Sequence, residues 1–208
     1  MKVYLRDRNT GLADCWRKVF AAESDVHVSV GDIFADGEHM EVDAIVSPAN
    51  SFGFMDGGID YVYSEFFGWN MQMELQSKLW TEHNGELLVG QAVVVDIRNT
   101  NPDTPIPYLI SAPTMRVPQT VGGTVNAYLA FVAALREAEK HPEINSILCP
   151  GLGTAVGQMP YAHCAIQMHA AWKRYNNPKA FDVLGVAHID HYNMLEPTMY
   201  MMNLAAHG

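Results

Sequence analysis

Two glycine-rich stretches contain the residues of this sequence that are best suited to chemistry. The first, SPANSFGFMDGGID at residues 47–60, follows an apolar segment and includes Gly57, Gly58 and, at its end, Asp60. The second, GLGTAVG at residues 151–157, follows the apolar segment SILCP. Glycine costs conformational entropy, so such clusters indicate a backbone that adopts a positive φ or approaches another group closely.

Both stretches are suited to binding an anion through backbone N–H groups. Each follows a predicted strand and precedes a predicted helix, and a helix N-terminus offers free N–H groups and a favourable dipole. A single loop of this kind equally suits an ordinary turn, but a pair at one sheet edge could hold a pyrophosphate without Lys or Arg. Neither stretch matches the P-loop pattern GxxxxGK(S/T), and GLGTAVG is one residue longer than a Rossmann glycine pattern. A P-loop nucleotidase and a nicotinamide dehydrogenase are therefore disfavoured.

The hydrophobic periodicity predicts alternating strands and helices that position these loops. Strands are predicted at residues 2–6, 26–30, 43–47, 92–97, 108–112, 146–150 and 183–189. Helices are predicted at residues 12–20, 58–79, 125–135 and 160–175. Apolar strands between amphipathic helices predict an α/β fold with a mixed, largely parallel central sheet of six or seven strands, covered on both faces. In such sheets ligands bind at the carboxyl ends of the strands, where both glycine-rich stretches lie.

The composition indicates the class of protein. The chain has 208 residues, of which 49% are hydrophobic, and a formal net charge of -10. We expect a single domain over residues 1–208, because no linker or charge block divides the sequence. The acidic balance argues against nonspecific nucleic-acid binding, which usually needs a basic face.

Cysteines, histidines and hydropathy bear on the compartment and on cofactors. The three cysteines lack CxxC spacing and indicate reduced thiols. No apolar run is long enough for a membrane span, and MKVYLRDRNT lacks the apolar core of a signal peptide, so we expect a cytoplasmic protein without a membrane partner. His163 and His169 are six residues apart and do not share a helix face, and HIDH at 188–191 straddles the end of a predicted strand. We therefore expect no metal and no cofactor.

Four segments, in order along the chain, share a pattern with one known family. They are VGDIF (30–34), VDAIVSPANS with GGID (42–51 and 57–60), the strand pair GQAVVVDIRN and IPYLISAPTM (90–99 and 106–115), and CPGLGTAVGQMP (149–160). Together they resemble the macrodomain, the α/β/α module that binds ADP-ribose. The resemblance implies a three-layer α/β/α fold and a small-molecule nucleotide, ADP-ribose or a derivative, as partner. For a hydrolytic member it implies an ADP-ribosylated macromolecule as a second partner.

The resemblance assigns roles to three polar residues. Asp32 would accept the adenine amino group, which suits an ionised carboxylate because it only accepts hydrogen bonds. Asn50 would contact the distal ribose and Asp60 would orient or activate a water near its anomeric carbon, which makes these two the implied catalytic residues. From the residues alone, Asp32 equally suits a turn or helix cap, Asn50 an Asx-turn, and Asp60 a first helical turn that complements the dipole.

The resemblance also places the rest of the ligand. Amides at 57–59 would hold one phosphate, those at 153–157 would surround the other phosphate and the distal ribose, and Tyr192 would stack on adenine. The alternative aromatic residues are Phe34, Phe52 and Phe54. The implied ligand-binding residues are Asp32, Ile33, Ala49, Asn50, Gly57, Gly58, Ile59, Gly151, Gly153, Thr154, Ala155, Val156, Gly157 and Tyr192.

Several residues depart from the family pattern. Ser47 replaces the first Asn of NAAN, Ser111 replaces a His, and the STG of the second loop is GTA. Asp56 adds a negative charge near the expected phosphates. Three functions stay open: hydrolysis of mono-ADP-ribosyl linkages on a protein, nucleic acid or O-acetyl group; non-catalytic recognition of ADP-ribose or an NAD-derived nucleotide; and phosphatase action on ADP-ribose 1″-phosphate.

Overall fold

A computed structural model describes residues 1–35, 41–178 and 184–207. Its strands are β1 (Lys2–Asp7), β2 (Val26–Val30), β3 (Ala44–Ser47), β4 (Val93–Asp96), β5 (Tyr108–Ser111) and β6 (Ser146–Cys149). Its helices are α1 (Thr10–Val19), α2 (Gly58–Phe67), α3 (Asn70–His83), α4 (Asn126–Glu139), α5 (Tyr161–Asn176), α6 (Leu184–Leu195) and α7 (Pro197–His207). A short 3₁₀ turn, Ile97–Asn99, follows β4.

The six described strands form one mixed sheet in the order β2-β1-β6-β3-β5-β4. Neighbouring strands are parallel except for β4 and β5, which are antiparallel. The predicted mixed, largely parallel sheet is therefore confirmed. Because β6 pairs with both β1 and β3, the loops that follow these three strands emerge side by side at one edge.

Both faces of the sheet are buried, which gives the fold three layers. Val3 and Leu5 of β1 belong to one apolar cluster, with side chains of α1, α4 and α5. Ile45 of β3 and Leu148 of β6 belong to a second cluster on the other face, with side chains of α2 and α3. Successive strand residues thus contribute to opposite layers, as the period of two requires.

Two sequence-based predictions are corrected. The helix expected over 58–79 is two helices, because Gly68 ends α2 with a φ of +98°, a conformation that favours glycine. The strand expected over 183–189 is wrong for residues 184–189, which form the first half of α6, and residue 183 lies outside the described residues. A short apolar run does not distinguish a strand from a buried helix, and here the run packs on α5 instead of joining the sheet.

Among the described residues, no helix combines the length and the apolar character that crossing a membrane requires.

Candidate functional site

A cleft of about 370 Å³ lies at the carboxyl ends of the parallel strands. Its walls come from the segments that follow β2, β1, β6, β3 and β5, in that order along the sheet edge. Neighbouring strands are roughly 4.8 Å apart, so these five strand ends extend over roughly 19 Å. The cleft is lined by every ligand-binding residue predicted from the sequence except Tyr192, and also by Asp60. Their contact with a ligand stays a prediction.

The first glycine-rich loop leads directly into α2. Gly57 is the N-cap of this helix and Gly58, with a φ of +58°, is its first residue. The amides of residues 58–60 precede the first helical hydrogen bond, in which Tyr61 N donates to the Gly57 carbonyl at 3.3 Å. A Cβ added at Gly57 or Gly58 would meet no atom within 4 Å, so this loop faces open space. It therefore presents N–H groups and the positive end of a helix dipole to the cleft.

The second glycine-rich loop is a tight turn that stands apart from any helix. Gly153 has a φ of +71°, and its carbonyl accepts a hydrogen bond from Met159 N at 2.9 Å. The amides of residues 154–156 have no hydrogen-bond partner among the described residues, so they can donate to a ligand. Because α5 begins only at Tyr161, the expectation that this loop lies at a helix N-terminus is wrong.

Asp60, in the first turn of α2, is the buried acid of the cleft. Only 6% of Asp60 is exposed, and Ser47 Oγ donates a hydrogen bond to its Oδ1 at 2.5 Å. Burial raises the pKa of the Asp60 carboxyl from 3.8 to about 7, although the hydrogen bond from Ser47 acts in the opposite direction. Ser111 is paired with Ser47 across β3 and β5, and its Oγ is buried without a partner among the described residues. The strand ends beneath α2 are therefore polar, and Asp60 is poised to exchange a proton near neutral pH.

Most hydrogen-bonding groups of the Asn50 side chain bind the backbone of its own loop. Its Oδ1 accepts hydrogen bonds from Phe52 N at 3.0 Å and from Phe54 N at 3.4 Å, and its Nδ2 donates to the Phe54 carbonyl at 2.8 Å. These are the contacts of an Asx-turn, which the sequence allowed as an alternative role. One N–H of the Asn50 amide is left to donate to a ligand.

Asp32 lies at the opposite end of the cleft, after β2. Its Oδ2 forms an ion pair with the guanidinium of Arg8, and its Oδ1 accepts a hydrogen bond from Phe34 N at 2.9 Å. Beneath it the buried Arg6 donates from Nε to the Asp32 carbonyl at 2.7 Å and from Nη1 to Ser29 Oγ at 3.0 Å. Two arginines therefore hold Asp32 in place, one through the backbone and one through the carboxylate.

Of the aromatic residues considered for base stacking, neither Tyr192 nor Phe34 lines the cleft. Tyr192 lies on α6, beside the ring of His188 at 4.8 Å, and does not line the cleft. Phe34 is half-buried against α2, stacks on the exposed Phe66 with ring centroids 3.8 Å apart, and does not line the cleft. The Tyr192 prediction depended on a strand over 183–189, and the helix at this place moves the residue away from the sheet edge.

Only one aromatic side chain lines the cleft within the described residues. This is Phe54, half of which is exposed, in the loop after β3. Phe52 does not line the cleft and has the Arg116 guanidinium 5.0 Å from its ring centroid. The end of the cleft after β1 and β2, where the base was expected, therefore has no described aromatic side chain in its lining.

Several cleft residues were missed from the sequence. Arg6, Asp7 and Arg8 follow or end β1, and Asp7 Oδ2 accepts a hydrogen bond from Gly151 N at 3.3 Å. Thr114 follows β5 and donates from its hydroxyl to the Pro48 carbonyl at 2.9 Å. The signal was the run of charged residues at the carboxyl end of a predicted strand, in KVYLRDRN. That signal becomes informative only once β1 is known to lie between β2 and β6, beside the two strands whose loops also line the cleft.

Known proteins with similar sequence or structure agree on one family. A family model of the Macro domain matches residues 46–168. An uncharacterised protein of Aquifex aeolicus is 30% identical over 166 residues, which are 80% of this chain and 91% of that protein.

Two solved structures share the fold. The Oceanobacillus iheyensis macrodomain with ADP is 19% identical with a TM-score of 0.55, covering 84% of this chain and 90% of that one. Thermosipho africanus DarTG in complex with ADP-ribose is 15% identical with a TM-score of 0.53, covering 83% of this chain and 44% of that one. At these identities the structures support the fold alone, whereas the family model covers more than half of the chain. The chain therefore belongs to the macrodomain family.

Proposed function

We propose that the cleft binds ADP-ribose, with the diphosphate between the amides of residues 58–60 and those of residues 154–156. The observation on which this depends is the convergence of two sets of unpaired amides from neighbouring strands, β3 and β6, on one cleft. Backbone N–H groups and a helix N-terminus are a common way to bind phosphate. The two sides of the proposed diphosphate site are thus built from main chain, which suits an acidic protein.

The order of groups along the sheet edge matches the order of groups in ADP-ribose. Asp32, after β2, would accept the adenine amino group, the loops after β6 and β3 would hold the diphosphate, and Ala49 and Asn50, also after β3, would contact the distal ribose. The volume of the cleft lies within the range of small-molecule sites, which is roughly 300 to 1,000 Å³. The ligands of the two solved relatives, ADP and ADP-ribose, belong to the same chemical class.

Calorimetry with ADP-ribose, ADP, AMP and NAD tests this binding. We expect ADP-ribose to bind most tightly, because it alone fills the base end, the diphosphate site and the distal ribose site without a further group. At a hundredfold excess over the dissociation constant it should stabilise the fold by about 2.7 kcal/mol, which a thermal melt detects. Absence of binding at millimolar ADP-ribose would falsify the proposal.

For the bound nucleotide we further propose hydrolysis of an ADP-ribosyl linkage at the anomeric carbon of the distal ribose. The Asp60 carboxylate would take a proton from a water as the water oxygen bonds to that carbon and the bond to the attached group breaks. The departing group would then take up a proton from the solvent. A carboxyl with a pKa of about 7 suits this task because it is substantially ionised at neutral pH yet still basic. The remaining Asn50 N–H would donate to a hydroxyl of the same ribose.

A non-catalytic reader of ADP-ribose is the second candidate. It is favoured by the side chain of Asn50, whose oxygen is occupied by its own loop, and by the raised pKa of Asp60, which leaves part of the population protonated. Asp60→Asn separates the two candidates. A hydrolase predicts retained ADP-ribose binding with turnover reduced by about 10² to 10⁴, whereas a reader predicts that the unmodified protein releases no ADP-ribose from mono-ADP-ribosylated protein, nucleic acid or O-acetyl-ADP-ribose.

A further inference from the structure

Arg8 is the exposed cation at the base end of the cleft. Its side chain is 75% exposed, follows the end of β1 and lines the cleft. The ion pair with the Asp32 carboxylate fixes the direction of the guanidinium, so the group is held at the mouth of the site instead of moving freely in solvent. No role was predicted for Arg8 from the sequence.

The base end has no described aromatic side chain that could cover a nucleobase. Phe54 belongs to the loop after β3, three strand positions from β2 and therefore roughly 14 Å from the end of β2. Phe34 is half-buried, stacks on the exposed Phe66 of α2 and does not line the cleft. Of the two described arginines that line this end, Arg6 is buried beneath Asp32 and Arg8 is exposed at the mouth of the cleft. A guanidinium plane stacks on bases as aromatic rings do, so Arg8 can take the place of an aromatic side chain.

A phosphate is a poorer match than a base for Arg8. Asp32 already neutralises the guanidinium, and the Asp7 carboxylate also lines this end of the cleft, so an added phosphate would meet repulsion from two carboxylates. An uncharged base avoids that repulsion. Its exocyclic amino group can also donate to Asp32, whose ionised carboxylate has further acceptor positions beyond those used by Arg8 and Phe34 N.

We propose that Arg8 is a specificity-determining residue that stacks its guanidinium plane on the purine base, while Asp32 accepts a hydrogen bond from the edge of the same base. This assignment rests on the proposed function, since it presupposes that a nucleotide occupies the cleft. Arg8 and Asp32 then act as one unit, in which the ion pair orients the plane that the base meets.

Calorimetry with three ligands and three variants tests the assignment. The ligands are ADP and ribose 5-diphosphate, which lacks the base, together with ADP-ribose as reference. Arg8→Ala and Arg8→Lys should each weaken ADP and ADP-ribose about tenfold, because an ammonium group retains the charge but lacks the plane. Neither variant should change the affinity for ribose 5-diphosphate. Arg17→Ala removes a half-exposed arginine of α1 that does not line the cleft and serves as the matched control.

Four outcomes would overturn the assignment. Wild-type affinity in Arg8→Lys would show that charge alone matters, and an equal loss for the ligand without a base would show that Arg8 binds phosphate. Unchanged affinity of Arg8→Ala, with ADP-ribose bound tightly by the wild type, would refute the role of Arg8 and leave the proposed function standing. Absence of wild-type binding would refute both. Because Arg8 is exposed, its variants should fold, and a thermal melt confirms this.

Discussion

Gly57 and Gly157 lie on the two loops of one cleft, and a methyl group added at each would meet very different surroundings. At Gly57 it would meet no atom within 4 Å. At Gly157 it would lie 2.5 Å from the Gly153 carbonyl oxygen and 2.7 Å from Val121 Cγ2. Glycine therefore leaves space for a ligand in the first loop, whereas in the second loop it allows the backbone to pack against itself.

The same loops differ in what stands behind them. The first leads into α2, which contributes a dipole and the buried Asp60. The second is separated from α5 by residues 158–160 and is held by its own turn and by the hydrogen bond from Val121 N to the Gly157 carbonyl at 2.7 Å. The first loop is therefore backed by a helix with a buried acid, whereas the second is held rigid by its own backbone contacts, although both are glycine-rich in sequence.

Asp60→Asn tests the buried acid behind the first loop, and we expect it to have the largest effect on stability. Between pH 3.8 and about 7 the native state keeps a proton that the unfolded state releases, so the free energy of unfolding falls as the pH rises through this range. The full cost of ionising buried Asp60 is about 4 kcal/mol above pH 7. Asparagine lacks that cost, so the variant should exceed the wild type by up to this amount at pH 8 and by little at pH 4, as measured by urea unfolding.

Asp56→Asn is the matched control for that experiment, because Asp56 is an exposed carboxylate of the same loop. Its stability profile should follow that of the wild type. Parallel profiles of Asp60→Asn and the wild type across pH 4 to 8 would contradict the raised pKa of Asp60.

Gly157→Ala tests whether the second loop is held rigid by its backbone contacts. The new Cβ would overlap a backbone oxygen that cannot move without breaking the turn at 153–159, so we expect a loss of about 1–3 kcal/mol in the free energy of unfolding. ADP-ribose affinity should fall as well, because the amides of residues 154–156 would shift. Unchanged thermal and urea unfolding would mean that the second loop is as open as the first.

The sequence predicted most of the sheet and the convergence of the loops, for a clear reason. Six strands were recognised from short apolar runs, including Val26–Val30 at its observed bounds. The carboxyl ends of parallel strands share one edge, so two loops that follow such strands had to come together. The break at Gly68 was missed because an isolated glycine is tolerated in a helical pattern, so its positive φ could not be read from the sequence.

The side-chain pairs of the site could not be predicted in the same way. The ion pair between Arg8 and Asp32 depends on β1 and β2 being neighbours, and the bond between Ser47 and Asp60 depends on the rotation of α2 over β3. Neither is encoded in spacing along the chain. Tyr192 failed as a base-stacking residue because its position followed from a strand that is a helix.

Ser47→Ala tests how the Ser47 hydroxyl affects the pKa of Asp60, and we expect it to have a smaller effect than the two substitutions above. The Ser47 hydroxyl lowers the pKa of Asp60 but burial, the larger influence, raises it, so removing the hydroxyl should raise the pKa beyond about 7. A carboxyl-carbon NMR titration of Asp60 measures this change directly. If the proposed hydrolysis occurs, the acidic limb of its pH profile should move to higher pH by the same amount. A lowered or unchanged pKa would show that the hydrogen bond does not stabilise the ionised carboxylate.

Substitutions at Gly57 should have the smallest effect on stability. They test the open space at Gly57, in contrast to the close contacts at Gly157. Any residue can adopt a φ of -147° without strain. Gly57→Ala should therefore stabilise the fold by about 0.4–1 kcal/mol, because alanine lowers the conformational entropy of the unfolded chain. Gly57→Phe should also fold, yet its ring would enter the cleft and weaken ADP-ribose binding in calorimetry. Gly123→Phe is the control, because Gly123 also has open space around its Cβ position but does not line the cleft. If both phenylalanine variants bind ADP-ribose like the wild type, the open space at Gly57 is not where the ligand lies.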